Sequence, residues 1–405
     1  MGTLPNFARN SASVSRRCGC RRRENPLRRA PSSRREKGCG TRVSEQSDPR
    51  NADPAPFEVG ITTFAETYPE VGVDTVRSHG QRLREVVEEA ELADRVGLDV
   101  YGVGEHHRAD FAASAPAVVL AAIAARTSRI RLTSAVTVLS SDDPVRVYQD
   151  FATLDQLSSG RAEVIAGRGS FTESFPLFGY RLEDYDELFA EKLDLLVAIA
   201  NSDRVTWSGR HRPALAEQTV YPRAHQDPLP VWVGVGGNPQ SVVRAASYGL
   251  PVALAIIGGE PARFAPFGDL YRRALDEFGK PPTPLAVHAH GYVGETDDAA
   301  AAEFFDPYRT AMSHIGRERG WPPLGRGQFD AARSPAGSLV LGSPDTVAEK
   351  IVSMSRLLGL DRFMLHISVG TLPHEKVLRS IEFLGTEVAP RVRERMAEIS
   401  GSRRG

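Results

Sequence analysis

From Phe57 onwards, short runs of apolar residues alternate with longer segments in which apolar residues recur at every third or fourth position. The first run covers residues 57–61 and is followed by a polar loop. In the next segment, residues 81–96, the apolar positions fall on one face of a helix. Gly97 then stands where a helix commonly ends in the left-handed conformation. This stretch therefore predicts a strand followed by an amphipathic helix.

The same strand–helix pattern repeats along the rest of the chain. Pro390 is expected to interrupt the last helix, because proline lacks the N–H group that a helix interior uses. The predicted strands are residues 57–61, 100–103, 130–138, 162–166, 231–235, 252–257, 285–293 and 363–369. The predicted helices are residues 81–96, 115–125, 144–157 and 183–200, one that begins at Pro239, one that ends near Phe278, and residues 297–319 and 375–395.

Repeated strand–helix units predict an α/β fold whose parallel strands close into a (β/α)8 TIM barrel. The alternation implies right-handed crossovers, and the number of units suits a closed barrel better than an open doubly wound sheet. Two stretches, residues 207–230 and 320–337, are longer than the repeat needs. We expect insertion loops there, since loops of this length are usually functional lids or disordered, and either of the two is a candidate to cover the barrel mouth.

The composition is typical of a globular protein, with 405 residues of which 41% are hydrophobic and 25% charged. No apolar stretch approaches the length of a membrane span, so no membrane association is expected. The net charge of −1 conceals an asymmetry, because residues 1–50 hold 13 lysines and arginines against 4 acidic residues, which leaves −10 on the remainder. An acidic body argues against nucleic acid as the main partner.

Residues 1–55 differ in composition from the barrel region, residues 56–396. They are rich in Arg and Ser, as transit peptides and nucleic-acid-binding arms are, but we expect a disordered, solvated extension without a catalytic part. No apolar core follows Arg16 and Arg17, which argues against an export signal. All three cysteines lie in this extension, so the barrel has no disulfide framework and a reducing, cytoplasmic location is expected.

Catalytic candidates follow the second predicted strand, whose apolar run stops before Glu105, His106 and His107. In a TIM barrel the interior is filled with side chains, and reactive groups collect at the carboxyl ends of the strands. Adjacent residues on a strand point to opposite faces, so the two imidazoles are not expected to bind one metal together. A histidine can transfer a proton near neutral pH, although a hydrogen-bonded structural histidine is the alternative. We predict catalytic roles at these three positions, chiefly at His106.

A glycine-flanked arginine follows the fourth predicted strand. Arg168 lies between Gly167 and Gly169, and Ser170 comes next. Arginine binds phosphate through two parallel hydrogen bonds, and glycines let backbone N–H groups approach an anion. A salt-bridged arginine in a tight turn is the alternative interpretation. We favour a phosphate site.

A second candidate for an anion site follows the fifth predicted strand. Gly236 and Gly237 precede Asn238, a plausible N-cap of the helix that begins at Pro239. The N–H groups at the start of a helix bind anions. Pro239 stands where a dinucleotide fingerprint would need glycine, so a single phosphate monoester suits this turn better than a pyrophosphate.

One pattern favours a different class of enzyme. His288 and His290 are two residues apart on the seventh predicted strand, which puts both imidazoles on one face. Such a pair is typical of metal-dependent barrel hydrolases, but no carboxylate cluster with ligand spacing accompanies it. We therefore predict no metal and keep the hydrolase as a minor alternative.

The order of several motifs resembles that of the bacterial luciferase-like flavin monooxygenases. The resemblance covers roughly residues 57–395, and its most specific part is residues 154–161 with the flanking sequence. The motifs are Glu-His-His at 105–107, Ser-Ala-Val at 134–136, Asp-Pro-Val-Arg at 143–146, Leu-Asp-Gln-Leu-Ser-Ser-Gly-Arg at 154–161, Gly-Arg-Gly at 167–169 and Phe-Gly at 178–179.

This resemblance implies a TIM barrel that binds FMN at the carboxyl ends of its strands. His106 corresponds to the family's catalytic histidine, which acts as an acid–base beside the flavin, and Arg168 to its phosphate-binding arginine. Ser134, Ala135 and Val136 are expected to bind the cofactor, and the Ala135–Val136 bond corresponds to a non-proline cis peptide that supports the flavin ring in relatives. The resemblance further implies that a separate flavin reductase supplies reduced FMN, that O2 and an organic small molecule are the substrates, and that the protein is a homodimer.

Departures from the family pattern keep alternatives open. Where relatives often have hydroxyl residues after the fifth strand, this chain has Gly236, Gly237 and Asn238, and Ser241 is the nearby hydroxyl. Phosphate contacts there would come mostly from the backbone. Within the same family, a dehydrogenase or reductase that uses a deazaflavin is the main alternative. A flavin-binding barrel without turnover, serving as a carrier or regulator, is another.

Overall fold

A computed structural model describes residues 56–68 and 78–402. The extension predicted at residues 1–55 lies outside the described residues. The strands are β1 (Glu58–Thr63), β2 (Val100–Val103), β3 (Arg131–Ser134), β4 (Thr137–Val138), β5 (Ala162–Gly167), β6 (Val205–Trp207), β7 (Leu215–Gln218), β8 (Val231–Val235), β9 (Val252–Ile256), β10 (Leu285–Val293), β11 (Val340–Gly342) and β12 (Arg362–His366). The helices are α1 (His79–Arg95), α2 (Pro116–Ala124), α3 (Pro144–Ser158), α4 (Ser174–Leu177), α5 (Tyr185–Asn201), α6 (Pro239–Tyr248), α7 (Ala265–Glu277), α8 (Asp297–Glu318), α9 (Arg326–Arg333), α10 (Pro344–Leu358), α11 (His374–Phe383) and α12 (Ala389–Ser402).

Parallel strands close into a barrel in the order β1, β2, β3, β5, β8, β9, β10 and β12. The closure is made by β12, which pairs with β1 on one side and with β10 on the other. In this register Arg362 lies opposite both Glu58 and Ala286. The (β/α)8 TIM barrel predicted from the strand–helix repeat is confirmed. Among the described residues, no helix has the length and apolar character needed to cross a membrane.

Alternate residues of the strands fill the barrel in layers, as side-chain alternation requires. Near the amino ends of the strands, Arg362 donates hydrogen bonds to Glu163 and Glu58, each at 2.6 Å. Its guanidinium lies 4.3 Å from the centroid of the Trp232 ring. The layer above is apolar and consists of Val100, Ile165, Trp232, Ala253, Ala286 and Met364. These two layers fill the amino end, so a ligand site inside the barrel can lie only at the carboxyl end.

Several predicted elements differ from the structure, and α10 and β11 were not predicted. The strand predicted at residues 130–138 is split into β3 and β4 by a cis peptide bond between Ala135 and Val136, as the family resemblance implies. The insertion at residues 207–230 contains part of the antiparallel β6–β7 hairpin, and the insertion at residues 320–337 contains α9. Both insertions therefore include regular structure.

Pro390 does not interrupt the last helix as expected. The helical backbone continues from α11 through a π-helical segment, Leu384–Val388, into α12, where Pro390 is the second residue. A Cβ atom on Gly385 would lie 2.2 Å from Cγ2 of Val96, so the π segment approaches the end of α1 more closely than a larger residue would allow. The π-helical segment ends at Val388, two residues before Pro390.

Candidate active site

Two adjoining cavities lie at the carboxyl end of the barrel. The smaller cavity has a volume of about 400 Å³ and the larger cavity about 650 Å³. Both lie within the usual size range of small-molecule sites. The residues that line both cavities are Phe64, Ser170, Gly236, Ala255 and Ile257. A molecule bound in one cavity would thus lie next to a molecule bound in the other.

His106 lines the smaller cavity beyond the end of β2, and it is only 9% exposed. Its ring lies against Phe111 with centroids 4.2 Å apart and meets the edge of Phe64 at 4.9 Å. Its Nε2 atom is buried without a hydrogen-bond partner. Burial, followed by repulsion from His366, lowers the pKa of His106 to about 3. The imidazole is therefore neutral at neutral pH, with a free nitrogen available to a ligand.

Glu105 and His107 have mainly structural contacts. One oxygen of Glu105 accepts a hydrogen bond from the backbone N–H of Val138 at 2.9 Å, and the other lies 2.9 Å from Nε2 of His107. Glu105 lines the smaller cavity, whereas His107 lines neither cavity and has its ring edge-on to Phe178. Glu105 thus connects the segment after β2 to β4 by a hydrogen bond. His107 does not reach the cavity that Glu105 and His106 line.

The gap between β3 and β4 forms one wall of the smaller cavity. Ala135 and Val136 both line it. Val136 fits because two residues facing it are glycines: a Cβ atom on Gly167 or on Gly234 would lie 2.4 Å or 2.8 Å from a methyl group of Val136. Ser134 lies outside both cavities, fully buried, where its hydroxyl donates to the backbone oxygen of Ile165. It supports the wall from behind.

Arg168, Gly169 and Ser170 line the smaller cavity after β5. Arg168 is ion-paired with the largely exposed Asp186, and its guanidinium lies 5.2 Å from the ring centroid of Tyr185. Tyr185 in turn donates a hydrogen bond to the backbone oxygen of Gly169 at 2.8 Å. The arginine is thus both salt-bridged and at the cavity, and an anion there would compete with an exposed carboxylate.

The turn after β8 reaches the same cavity. Gly236, Gly237 and Asn238 line it, and Asn238 caps α6 by accepting a hydrogen bond from the N–H of Gln240 at 2.9 Å. Ser241 is buried and lines neither cavity. The structure thus brings both predicted anion-binding segments, around Arg168 and around Gly237, to one cavity and leaves Ser241 outside it.

Histidines from β10 and β12 form the top layer of the barrel. His288 lines the smaller cavity and His290 the larger one, and each lies against His366, with ring centroids 5.4 Å and 5.1 Å from it. Burial and neighbouring imidazoles lower the pKa of His288 to about 3 and that of His290 well below its ordinary value. In the described part of the chain, neither joins a group of three ligands close enough to hold a metal, so the geometry gives the hydrolase alternative no support.

Sequence reasoning missed Glu66, Tyr185 and His366. Glu66 follows β1 and accepts a hydrogen bond from Nε2 of His366 at 2.9 Å, if that nitrogen carries the proton. A signal was present for His366, which stands two residues after Met364 on β12 and therefore shares its inward face. Glu66 lies after β1, where no periodicity indicates the direction of a side chain, and Tyr185 is the first residue of α5.

The geometry agrees with a comparison against known protein families. The family of luciferase-like monooxygenases matches residues 57–362. This chain belongs to that family. The family resemblance inferred from the sequence motifs is confirmed.

Relatives within the luciferase-like family include both oxygenases and dehydrogenases. The F420-dependent glucose-6-phosphate dehydrogenase of Amycolatopsis mediterranei (strain U-32) is 32% identical over 163 residues, which are 38% of this chain and 48% of that protein. The 4-hydroxyprotoasukamycin monooxygenase of Streptomyces nodosus subsp. asukaensis is 26% identical over 340 residues, which are 78% of this chain and 88% of that protein. The chain thus spans about half the length of the first relative and most of the second.

Solved structures of the family share the barrel. Monooxygenase RslO1 from Streptomyces bottropensis is 25% identical, with a TM-score of 0.72 over 82% of this chain and 99% of that one. The oxygenating constituent of 3,6-diketocamphane monooxygenase of Pseudomonas putida, solved in complex with FMN, is 20% identical, with a TM-score of 0.68 over 83% of this chain and 98% of that one. The second likeness supports the fold alone.

Proposed function

We propose that this oxidoreductase is a two-component flavin monooxygenase, which binds FMN in the smaller cavity and an organic substrate in the larger one. The observation that carries the proposal is the convergence of the two predicted anion-binding segments, around Arg168 and Gly237, on a cavity that His106 also lines. A phosphate group bound at these segments and a free imidazole in the same cavity are what a bound flavin mononucleotide would need. The diketocamphane monooxygenase, which shares this fold, was solved in complex with FMN.

The residues present fit this cofactor. Arg168 and the N–H groups of the turn at Gly237 would hold the phosphate, and Ala135 and Val136 would support the ring system. The bound reduced flavin would supply the activation of O2 and the transfer of one oxygen atom to the substrate. The unpartnered Nε2 of His106 would hold or move a proton beside the ring, and Phe64 and Phe111 keep water from this nitrogen.

Titration with cofactors tests this proposal. The purified full-length protein is mixed with FMN, riboflavin or the deazaflavin F420, and binding is followed by flavin fluorescence. Each reduced cofactor is then supplied under air, and O2 consumption is recorded. We expect FMN to bind more tightly than riboflavin, and its reduced form to consume O2 in the protein. Failure of FMN to bind would refute the proposal. Identifying the reductase that supplies reduced FMN and measuring the mass of the protein in solution test the predicted partner and homodimer.

A second function, hydride transfer with a deazaflavin, is favoured by the similarity to the F420-dependent dehydrogenase. The same cavity would then hold the deazaflavin, and no O2 would be consumed. Tight binding of F420 with weak binding of FMN in the titration above would select this function.

A further inference from the structure

The larger cavity is apolar over most of its wall but has a polar site at its inner end. Aromatic and aliphatic side chains form most of the lining, among them Phe111, Phe171, Met312 and Trp321. Glu66 and His290 also line it, although they are only 7% and 5% exposed. Burying a carboxylate and an imidazole costs free energy unless each finds a partner. The polar atoms of Glu66 and His290 that lack a partner in the protein therefore indicate which polar group of a ligand this end of the cavity can bind.

Both residues have one atom without a partner. Oε2 of Glu66 and Nδ1 of His290 are buried and make no hydrogen bond within the protein. The other oxygen of Glu66 lies 2.9 Å from Nε2 of His366, and the ring of His290 lies against that same imidazole. Glu66 is further fixed by a β-bridge to Phe111. The side chains that carry the two free atoms thus both contact His366.

The chemistry of the pair selects a hydrogen-bond donor. A carboxylate oxygen accepts hydrogen bonds, and a neutral imidazole nitrogen accepts or donates one according to its tautomer. The buried guanidinium of Arg82 already interacts electrostatically with Glu66, so a cationic ligand would add a second positive charge to this region. A neutral hydroxyl group can donate a hydrogen bond to Oε2 of Glu66 and accept one from Nδ1 of His290, in the tautomer that carries the proton there. Such a ligand adds no charge to this region.

We propose that Glu66 and His290 form a hydroxyl-binding subsite, and that the substrate is an apolar, aromatic molecule with a phenolic or alcoholic hydroxyl held by these two residues. The proposal rests on the proposed function for the assignment of the larger cavity to the substrate. It makes Glu66 and His290 specificity-determining residues. The reaction itself remains with the groups in the smaller cavity.

Binding of three matched probes tests the subsite. β-Naphthol, its methyl ether and naphthylmethylammonium are titrated by calorimetry into the full-length protein, both without flavin and after saturation with oxidised FMN. A hydrogen bond to a charged acceptor predicts that β-naphthol binds about ten-fold or more tightly than the ether. In Glu66→Gln and in His290→Phe this preference should shrink to a few-fold at most. Quenching of Trp321 fluorescence, absent in Trp321→Phe, places the probe in the larger cavity.

The control is Glu303→Gln, which also replaces a carboxylate by an amide. Glu303 accepts a hydrogen bond from Tyr292 and lines neither cavity, so its replacement should leave the preference unchanged. Circular dichroism confirms that each variant folds, and Glu66→Asp provides a second test, since it should keep part of the preference. Equal binding of β-naphthol and its ether, no binding of either, or tightest binding of the ammonium would overturn the subsite. Loss of FMN binding with an intact naphthol preference would instead overturn the proposed function alone.

Discussion

At the scale of single residues, His106 and His107 are adjacent in the chain yet differ in what surrounds them. His106 lies in the smaller cavity with a free Nε2, whereas Nε2 of His107 is bound to Glu105. Strand alternation cannot explain this difference, because both residues lie beyond the end of β2 at Val103. Which of the two enters the cavity is decided by packing against Phe64 and Phe111, and the motif alone does not contain that information.

Replacing these neighbours separately should therefore give different results. His106→Ala removes the free imidazole nitrogen, so oxygenation should fall by about 10²–10⁴-fold, the usual contribution of a general acid or base. Flavin binding should change little. His107→Gln keeps a hydrogen-bond donor for Glu105 and should leave both nearly unchanged. Turnover with a substrate accepted by the wild-type protein and flavin fluorescence measure the two effects. Unchanged turnover in His106→Ala would remove this residue from the mechanism.

Arg168 permits a test of the phosphate site. Arg168→Ala should weaken FMN binding by about ten-fold or more and leave riboflavin binding nearly unchanged, because riboflavin lacks the phosphate. Asp186→Asn provides the opposite change: it frees Arg168 from its ion pair and should strengthen FMN binding. Fluorescence titrations with both flavins give the ratio of dissociation constants. Equal losses for FMN and riboflavin in Arg168→Ala would contradict the phosphate role.

At the scale of elements, the sequence predicts the regular strands of the barrel better than it predicts the irregular segments. β2, β8 and β10 have the predicted bounds, because their apolar runs end at polar or glycine residues. The π-helical segment before Pro390 and the helix in the second insertion were not predictable, since both depend on contacts between distant parts of the chain. The positions of Ser134 and Ser241 were not predictable either. Both are close in sequence to residues that line the smaller cavity, but neither lines it.

The split strand gives a prediction at this scale. A Cβ atom on Gly167 would lie 2.4 Å from a methyl group of Val136, a branched side chain that cannot swing aside freely. Gly167→Ala should therefore push Val136 into the smaller cavity, weaken FMN binding and cost about 1–3 kcal/mol of unfolding free energy. Gly327→Ala is the matched control, because nothing lies within 4 Å of the added methyl group in α9. Urea unfolding and FMN titration would show both effects, and an equally tight FMN complex in Gly167→Ala would refute the argument.

At the scale of the whole molecule, the layers of the barrel explain where the chemistry lies. Charged residues around Arg362 and the apolar layer above them fill the amino end, and three histidines from β10 and β12 occupy the carboxyl end. Eight strand–helix units predicted the fold, and strand ends predicted most of the smaller cavity. Most of the lining of the larger cavity could not be predicted, because it comes from loops and from α8 and α9, whose positions follow from tertiary packing.

The buried histidines make the stability of the whole barrel depend on pH. His106 and His288 have pKa values of about 3 when folded, and the pKa of an unfolded histidine is about 6.5, so below pH 6.5 the unfolded chain binds more protons and stability falls. Burial raises the pKa of Asp142 to about 6, so this carboxyl favours the folded state as the pH falls. The slope of stability against pH in the wild type therefore cannot be assigned to one group.

Comparing variants isolates one histidine. His288→Phe removes one titrating imidazole, so its loss of stability between about pH 7 and pH 5 should be about 2 kcal/mol smaller than that of the wild type. His225→Gln, which replaces an exposed imidazole, should show the wild-type loss. Urea unfolding of the flavin-free protein at both pH values gives the four free energies for each comparison. If His288→Phe lost as much stability as the wild type, His288 would have to bind a proton in the folded barrel at pH 5, which contradicts the low pKa that burial gives this imidazole.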